Sequence, residues 1–229
     1  MNASIRSADK AADRVARRFI WAGPVWAVLL FLGTISHQPP PQTDFAGYAR
    51  YITTTEFLSS HIVASIAGAA IGNLGFVAIF VALVRRGGGS LGLWALVAAI
   101  LGNTVVTSIF GAAAFAQPAI GRMYLAGQTA QAMALQDDIY GVPLFATAFT
   151  GLLLLAVGLV LFGIAVARSR SLPRWAGILL AISGPLFAIV GVALADIVQS
   201  VGAAGLIAST AWIARSAQRA EPVSPPARG

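Results

Sequence analysis

Six apolar runs, each free of Lys, Arg, Asp and Glu, constrain this chain more than any other feature. They are Phe19–Ile35, Leu58–Leu83, Leu91–Ala116, Val142–Ala167, Trp175–Ala193 and Ile197–Ile213. A helix rises 1.5 Å per residue, so a run of roughly 17–25 residues crosses a hydrocarbon layer about 30 Å thick. Inside that layer every backbone N–H and C=O must be paired within the protein, which leaves helices and closed barrels. Barrel strands alternate polar and apolar residues in segments of about ten, and these runs do not alternate. The chain therefore reads as an all-α, polytopic transmembrane helix bundle of six spans. Composition agrees: 58% of residues are hydrophobic and 10% charged, and mean hydropathy is +0.80. A soluble domain carries roughly 25% charged residues, so soluble α/β enzymes, β-sandwiches and nucleic-acid modules are excluded. With no cysteine, there is no disulfide, thiol chemistry or cysteine-based metal site.

The fifth and sixth runs need a break between them, because one helix from Trp175 to Ile213 would be about 58 Å long. Asp196 as N-cap with Gln199 three residues on has the form of a capping box, which predicts a tight turn at Leu194–Asp196. Orientation follows from the cations. Of the 15 Lys and Arg, all but Arg50 and Arg122 fall in the N-terminal segment, the loops after spans two and four, and the C-terminal tail. The positive-inside rule puts those regions, and both ends of the chain, in the cytoplasm. The net charge of +7 then faces anionic lipid headgroups, and nucleic acid is not needed as a partner. Trp21, Trp94, Trp175 and Trp212 fall at the predicted inner ends. Tyr48, Tyr51, Tyr124 and Tyr140 fall on the outer side, as interfacial aromatic belts require.

Three regions result: a basic cytoplasmic segment over residues 1–18, a six-helix domain over 19–215 and a disordered tail over 216–229. Ser7–Arg18 is expected to form a short helix on headgroups, and the first span to be an uncleaved anchor, since no A-x-A site follows it. In the first outer loop, Pro39-Pro40-Pro41 stiffens the exit. Phe45, Tyr48 and Ile52 then recur at helical spacing, predicting a short surface helix. Thr53-Thr54-Thr55-Glu56 has the pattern of a capping box for the second span. The other long outer loop, Gln117–Gly141, carries Met123, Tyr124, Met133 and Leu135 among polar residues and suits the interface.

Polar groups within spans are the default candidates for function. Asn73 and Asn103 each follow a glycine at mid-run and are expected to meet, either as a structural hydrogen bond or as the lining of a ligand or ion path. Gly68 and Gly72 form a G-x-x-x-G, and Gly177, Gly184 and Gly191 recur every seven residues, suiting close helix contact. Pro185 predicts a kink. The outer side gathers His37, Glu56, His61 and Asp196, with Arg50–Glu56 and Arg122–Asp137 as expected surface pairs. His61 stands inside the apolar part of span two and needs a partner, for which Asp196 or an acid of the second long loop is the natural choice. His61, Asp196, Glu56, His37, Asn73 and Asn103 are thus the candidate ligand-binding residues. No HExxH or other fixed-spacing motif supports a metal centre, no cofactor is implied, and no G-x-S-x-G, P-loop or Rossmann fingerprint points to an enzyme.

The Arg17-Arg18-Phe19 entry, the long loop before His61 and the Arg168-x-Arg170-x-Leu172-Pro173-Arg174-Trp175-Ala176-Gly177 turn resemble the six-span integral membrane proteins of unknown role common in bacteria with GC-rich genomes. The resemblance implies a fold and a bacterial cytoplasmic-membrane location, and no chemistry. The expected role is structural, sensory or accessory, not enzymatic, with the lipid bilayer and a second copy or another membrane protein as partners. The alternatives are a transporter or channel for a small neutral or hydrophobic molecule, and an outer-face metal-dependent membrane enzyme.

Overall fold

The computed structural model describes residues 17–41, 43–85 and 89–219, and among these it is all-helical. The helices are α1 (Ala22–Ser36), α2 (Phe45–Ile52), α3 (Thr55–Val84), α4 (Gly89–Phe115), α5 (Gln117–Leu125), α6 (Thr129–Ile139), α7 (Val142–Arg168), α8 (Arg174–Leu194) and α9 (Asp196–Arg219). Six segments are long and apolar enough to cross a membrane, and they coincide with the six apolar runs. The predicted Ser7–Arg18 helix, Arg86 and the C-terminal tail lie outside, or almost wholly outside, the described residues.

Packing follows a ring. Going round it, α1 contacts α3, α3 contacts α4, α4 contacts α7, α7 contacts α8, α8 contacts α9, and α9 returns to α1. Helices α1 and α9 run antiparallel. Arg17 and Gln218 exchange side-chain-to-carbonyl hydrogen bonds at one end of the pair, and His37 meets Asp196 at the other. These ends are called here the arginine end and the histidine end. The central core draws on all six long helices, with Trp26, Phe76, Ala99, Leu155, Phe162, Leu180 and Leu206 fully or almost fully buried. Much of the outward surface is apolar, including Leu32, Leu74, Leu101, Phe149, Ile182 and Val201.

Glycine sets the closest approaches. A Cβ on Gly102 of α4 would strike the Leu155 backbone of α7, and one on Gly158 of α7 would strike Ala99 of α4. Gly68 and Gly72 both face α1, where Gly72 lies under the Trp26 ring. The predicted single stripe on α8 divides: Gly177 and Gly184 face α7, whereas Gly191 faces Gln199 of α9. The reason is local. After Pro185 the helix widens into a π-helical stretch, Leu186–Gly191, and i→i+5 turns move later residues off the heptad face.

Two cap assignments also shift. Ala195, not Asp196, is the extended residue between α8 and α9, and its carbonyl accepts the N–H groups of Val198 and Gln199. At α3 the cap is Thr54, whose hydroxyl accepts the Phe57 N–H at 3.2 Å. Thr53 instead donates back to the Ala49 and Arg50 carbonyls, so no Thr53–Glu56 box forms.

The predicted surface helix is α2, capped by Asp44, whose carboxylate accepts the Gly47 N–H. The second long loop forms α5 and α6. Helix α5 lies on α2 because Gly121 leaves room beside Ala49 and Ile52. Tyr48, Ile52, Phe57 and Ala113 form a second apolar cluster there.

Candidate functional site

Three long helices deliver polar side chains to the histidine end of the bundle. Helix α1 ends at Ser36 and leaves His37 extended, α9 begins at Asp196, and α3 enters through a π-helical stretch, Ser60–Ala67, that carries His61. At that stretch the Phe57 carbonyl accepts from both the Ser60 hydroxyl at 3.0 Å and the His61 imidazole at 2.8 Å. Side-chain competition for a helix carbonyl accompanies the local widening.

A cavity of about 250 Å³ opens here and descends between the helices. His37, His61, Asp196 and Gln199 border it, with Thr34 and Ser65. Deeper walls are Leu30, Val106, Leu152, Leu155 and Phe187, and Asn103 and Trp26 also line it. Both π-helical stretches contribute to it, through His61 and Phe187. Most of its wall is apolar. Asp196 is its one formally charged group, and no Lys or Arg lines it.

The hydrogen bonds fix the chemistry of the two imidazoles. His37 Nδ1 lies 3.4 Å from the Asp196 carboxylate, and His61 Nδ1 lies 2.8 Å from the Phe57 carbonyl. A carbonyl or carboxylate oxygen only accepts, so Nδ1 carries the proton in both rings. In its neutral form each ring then presents Nε2 as an acceptor, and neither Nε2 has a partner among the described residues. The rings stand edge to face, 5.4 Å between centroids. Tyr51 packs on His37. Burial pushes its phenol pKa up, opposed by a backbone hydrogen bond at Gln38 and aided by the Asp196 charge.

Asn103 donates from Nδ2 to the Ala69 carbonyl at 2.8 Å and to Asn73 Oδ1 at 3.0 Å. The expected asparagine contact is therefore present. Asn73 holds Asn103 in place without itself bordering the cavity. His37, His61, Asp196 and Asn103 come together around one space. Glu56 does not: it is exposed on α3 and borders no part of the cavity.

The expected His61–Asp196 pair is corrected. Asp196 meets His37, because α9 packs on α1 at this end, and His61 turns back to its own helix. Arg50–Glu56 and Arg122–Asp137 do not form ion pairs; among the described residues the acid–base side-chain contact seen is the His37 imidazole against the Asp196 carboxylate. No three His, Cys, Asp or Glu side chains of the described residues gather closely enough to hold a metal ion.

Sequence reasoning passed over Trp26, Thr34 and Gln199. Trp26 carried a signal. Of the five tryptophans it is the one standing inside a run and away from its end. It is 0% exposed, and its Nε1 has no hydrogen-bond partner. Thr34 had no such mark, and Gln199 was singled out only as part of the expected capping box.

No family model, no curated protein and no solved structure matches this chain. What stands of the resemblance noted above is the set of six apolar helices long enough to span a membrane.

Proposed function

We propose that this is a multi-pass protein of the bacterial cytoplasmic membrane that binds a small molecule from the outer side, in a sensory or accessory role. The observation that carries this reading is the cavity. It opens at the histidine end, and fully buried Phe76, Phe162 and Leu159 pack in the core of the same bundle. A pocket of this size with few polar groups, set between helices of a bundle, has the character of a ligand site.

Charge supports the orientation. Arg168, Arg170 and Arg174 rim a groove between α7 and α8 at the arginine end, and Arg85, Arg215 and Arg219 belong to the same end of the chain's alternating path. That end is assigned to the cytoplasm and the cavity mouth to the outside. The reading is of a binding protein rather than an enzyme.

A second reading, carriage of the bound molecule across the membrane, draws on α8. Its Pro185 and the π-helical stretch after it place Phe187 on the cavity wall, so bending α8 would reshape the site.

The natural absence of cysteine makes one experiment decisive. A single cysteine at Ser65 should react with a membrane-impermeant thiol reagent added to intact spheroplasts. One at Phe162 should not react until the protein is denatured. An unreactive Ser65→Cys, or one labelled only after lysis, would sink the outward-open cavity.

A further inference from the structure

Taking the cavity as a ligand site, as above, we infer that its occupant is an uncharged, ring-sized molecule bearing one hydroxyl, of the phenol class, which donates to Nε2 of His61. Three independent features define that class.

Charge comes first. An anion would meet the Asp196 carboxylate and find no cation, because no Lys or Arg lines the space. A cation would have to compete with the His37 N–H for Asp196, which stands 3.4 Å from it, and a charge left unpaired among apolar walls is expensive. The occupant is therefore neutral.

Hydrogen-bonding polarity comes second. The unspent groups near the mouth are acceptors: His61 and His37 each commit Nδ1–H to an oxygen, leaving Nε2. Asn103 spends Nδ2 on Asn73 and Ala69. A ligand that only accepts would cover His61 Nε2 and leave it unpaired, whereas a hydroxyl satisfies it. A hydroxyl oxygen also retains lone pairs for a donor; Trp26, whose buried indole N–H has no hydrogen-bond partner, is among the residues lining the cavity.

Size and shape come third. An apolar cavity of about 150 Å³ holds benzene. At about 250 Å³, lined by Leu30, Leu152, Leu155 and Phe187, this one accommodates a ring with a short apolar substituent.

Four probes on one 4-tert-butylphenyl frame test the assignment on the full chain purified in detergent: 4-tert-butylphenol, its methyl ether 4-tert-butylanisole, 4-tert-butylbenzoate and 4-tert-butylbenzylamine. Saturable binding is read by calorimetry at neutral pH. The Ala148→Trp variant, in which a buried residue of the cavity wall is enlarged, subtracts partition into micelles. The phenol should bind at least about tenfold tighter than the ether, as one hydrogen bond to a buried acceptor requires. Benzoate and the ammonium should bind more weakly than the phenol.

His61→Leu should bring the phenol down to the level of the ether and leave the ether unchanged, and Ala148→Trp should abolish both. If phenol and ether bind equally and Ala148→Trp abolishes both, the donor assignment fails while the cavity remains a ligand site. Tightest binding by benzoate or the amine overturns the neutral class. Absence of saturable binding by all four, or binding indifferent to Ala148→Trp, overturns both this inference and the ligand-site reading beneath it. Should His61→Leu fail to fold, the wild-type comparison of phenol with ether decides alone.

Discussion

Asn103 of α4 reaches Asn73 of α3 with one amide hydrogen at 3.0 Å and the Ala69 carbonyl with the other at 2.8 Å. The two asparagines are unequal partners. Asn103 is 2% exposed and makes both bonds, while Asn73 is only half-buried and accepts one of them. Interhelical hydrogen bonds in membrane bundles contribute about 0.6–2 kcal/mol. Asn103→Leu should therefore destabilise by about 1–2 kcal/mol and Asn73→Leu by less. The double variant should cost less than the sum, because each single change already removes the shared bond. Reversible unfolding in mixed micelles measures all three, and strict additivity would mean that the contact contributes nothing.

Glycine approaches give a sharper contrast. Gly102→Ala drives a methyl into the Leu155 backbone, whereas at Gly111 of the same helix nothing lies within 4 Å of the added Cβ. Forcing backbones apart in a packed interface costs about 1–3 kcal/mol or more. Replacing an unhindered helical glycine gains about 0.5–1 kcal/mol. The expected result is a lower melting temperature for Gly102→Ala and an unchanged or higher one for Gly111→Ala.

Helices α1 and α9 offer a direct test of ring closure. Ser200 Oγ stands 2.9 Å from Thr34 Oγ1, close enough for paired cysteines to approach disulfide geometry. In the cysteine-free chain, Thr34→Cys with Ser200→Cys should oxidise within one molecule. Intact mass should fall by two hydrogens, with no dimer on a non-reducing gel. Free thiols after oxidation would place α1 and α9 apart.

Ionisation of Tyr48 should loosen the α2–α5 cap. Its hydroxyl accepts Gln117 Nε2 at 2.7 Å, and burial, reinforced by Tyr51, pushes its pKa up to about 12. Tyr140 is raised further, again chiefly by burial. A phenol whose folded pKa exceeds its unfolded value of about 10 stabilises fully below pH 10, and that contribution is lost as pH climbs through the folded pKa. Stability should thus fall between pH 10 and about 12, with tyrosinate absorbance lagging that of the denatured chain. Tyr48→Phe should remove part of the lag and cost about 1–3 kcal/mol, since Gln117 keeps a buried amide without its acceptor.

Orientation has its own assay. A reporter active only in the cytoplasm should work when fused after Arg174 and fail when fused within α6. Activity in α6 would reverse the assignment of the two ends, which rests on the distribution of arginine.

The apolar runs made the six long helices legible, because hydrocarbon length and backbone satisfaction leave few other outcomes for such stretches. Contact between Asn73 and Asn103 was legible for a related reason: a short connection makes α3 and α4 antiparallel neighbours, which brings their midpoints together. Neighbours distant in sequence were not legible. Nothing in the periodicity says that α9 returns to α1, and that return gives Asp196 to His37 and leaves His61 to the Phe57 carbonyl. The π-helical stretches were equally hidden. Pro185 announces a bend but not a change of register, and the stretch at His61 contains no proline at all. Glu56 looked close to His61 in number, yet the helix turns it outward.

Closure of the ring through α1 and α9 has a consequence for biosynthesis. Thr34 and Ser200 are 166 residues apart, and at roughly 5–20 residues per second the first leaves the ribosome on the order of 10–30 s before the second. Throughout that interval Trp26 and Ala27 lack the last neighbour of their bundle, and the Asp196 wall of the cavity does not yet exist. Nascent chains stalled before α9 would hold most of the cavity's lining residues but lack Asp196 and Gln199. The cavity is therefore completed late in translation, when α9 brings Asp196 and Gln199 to it.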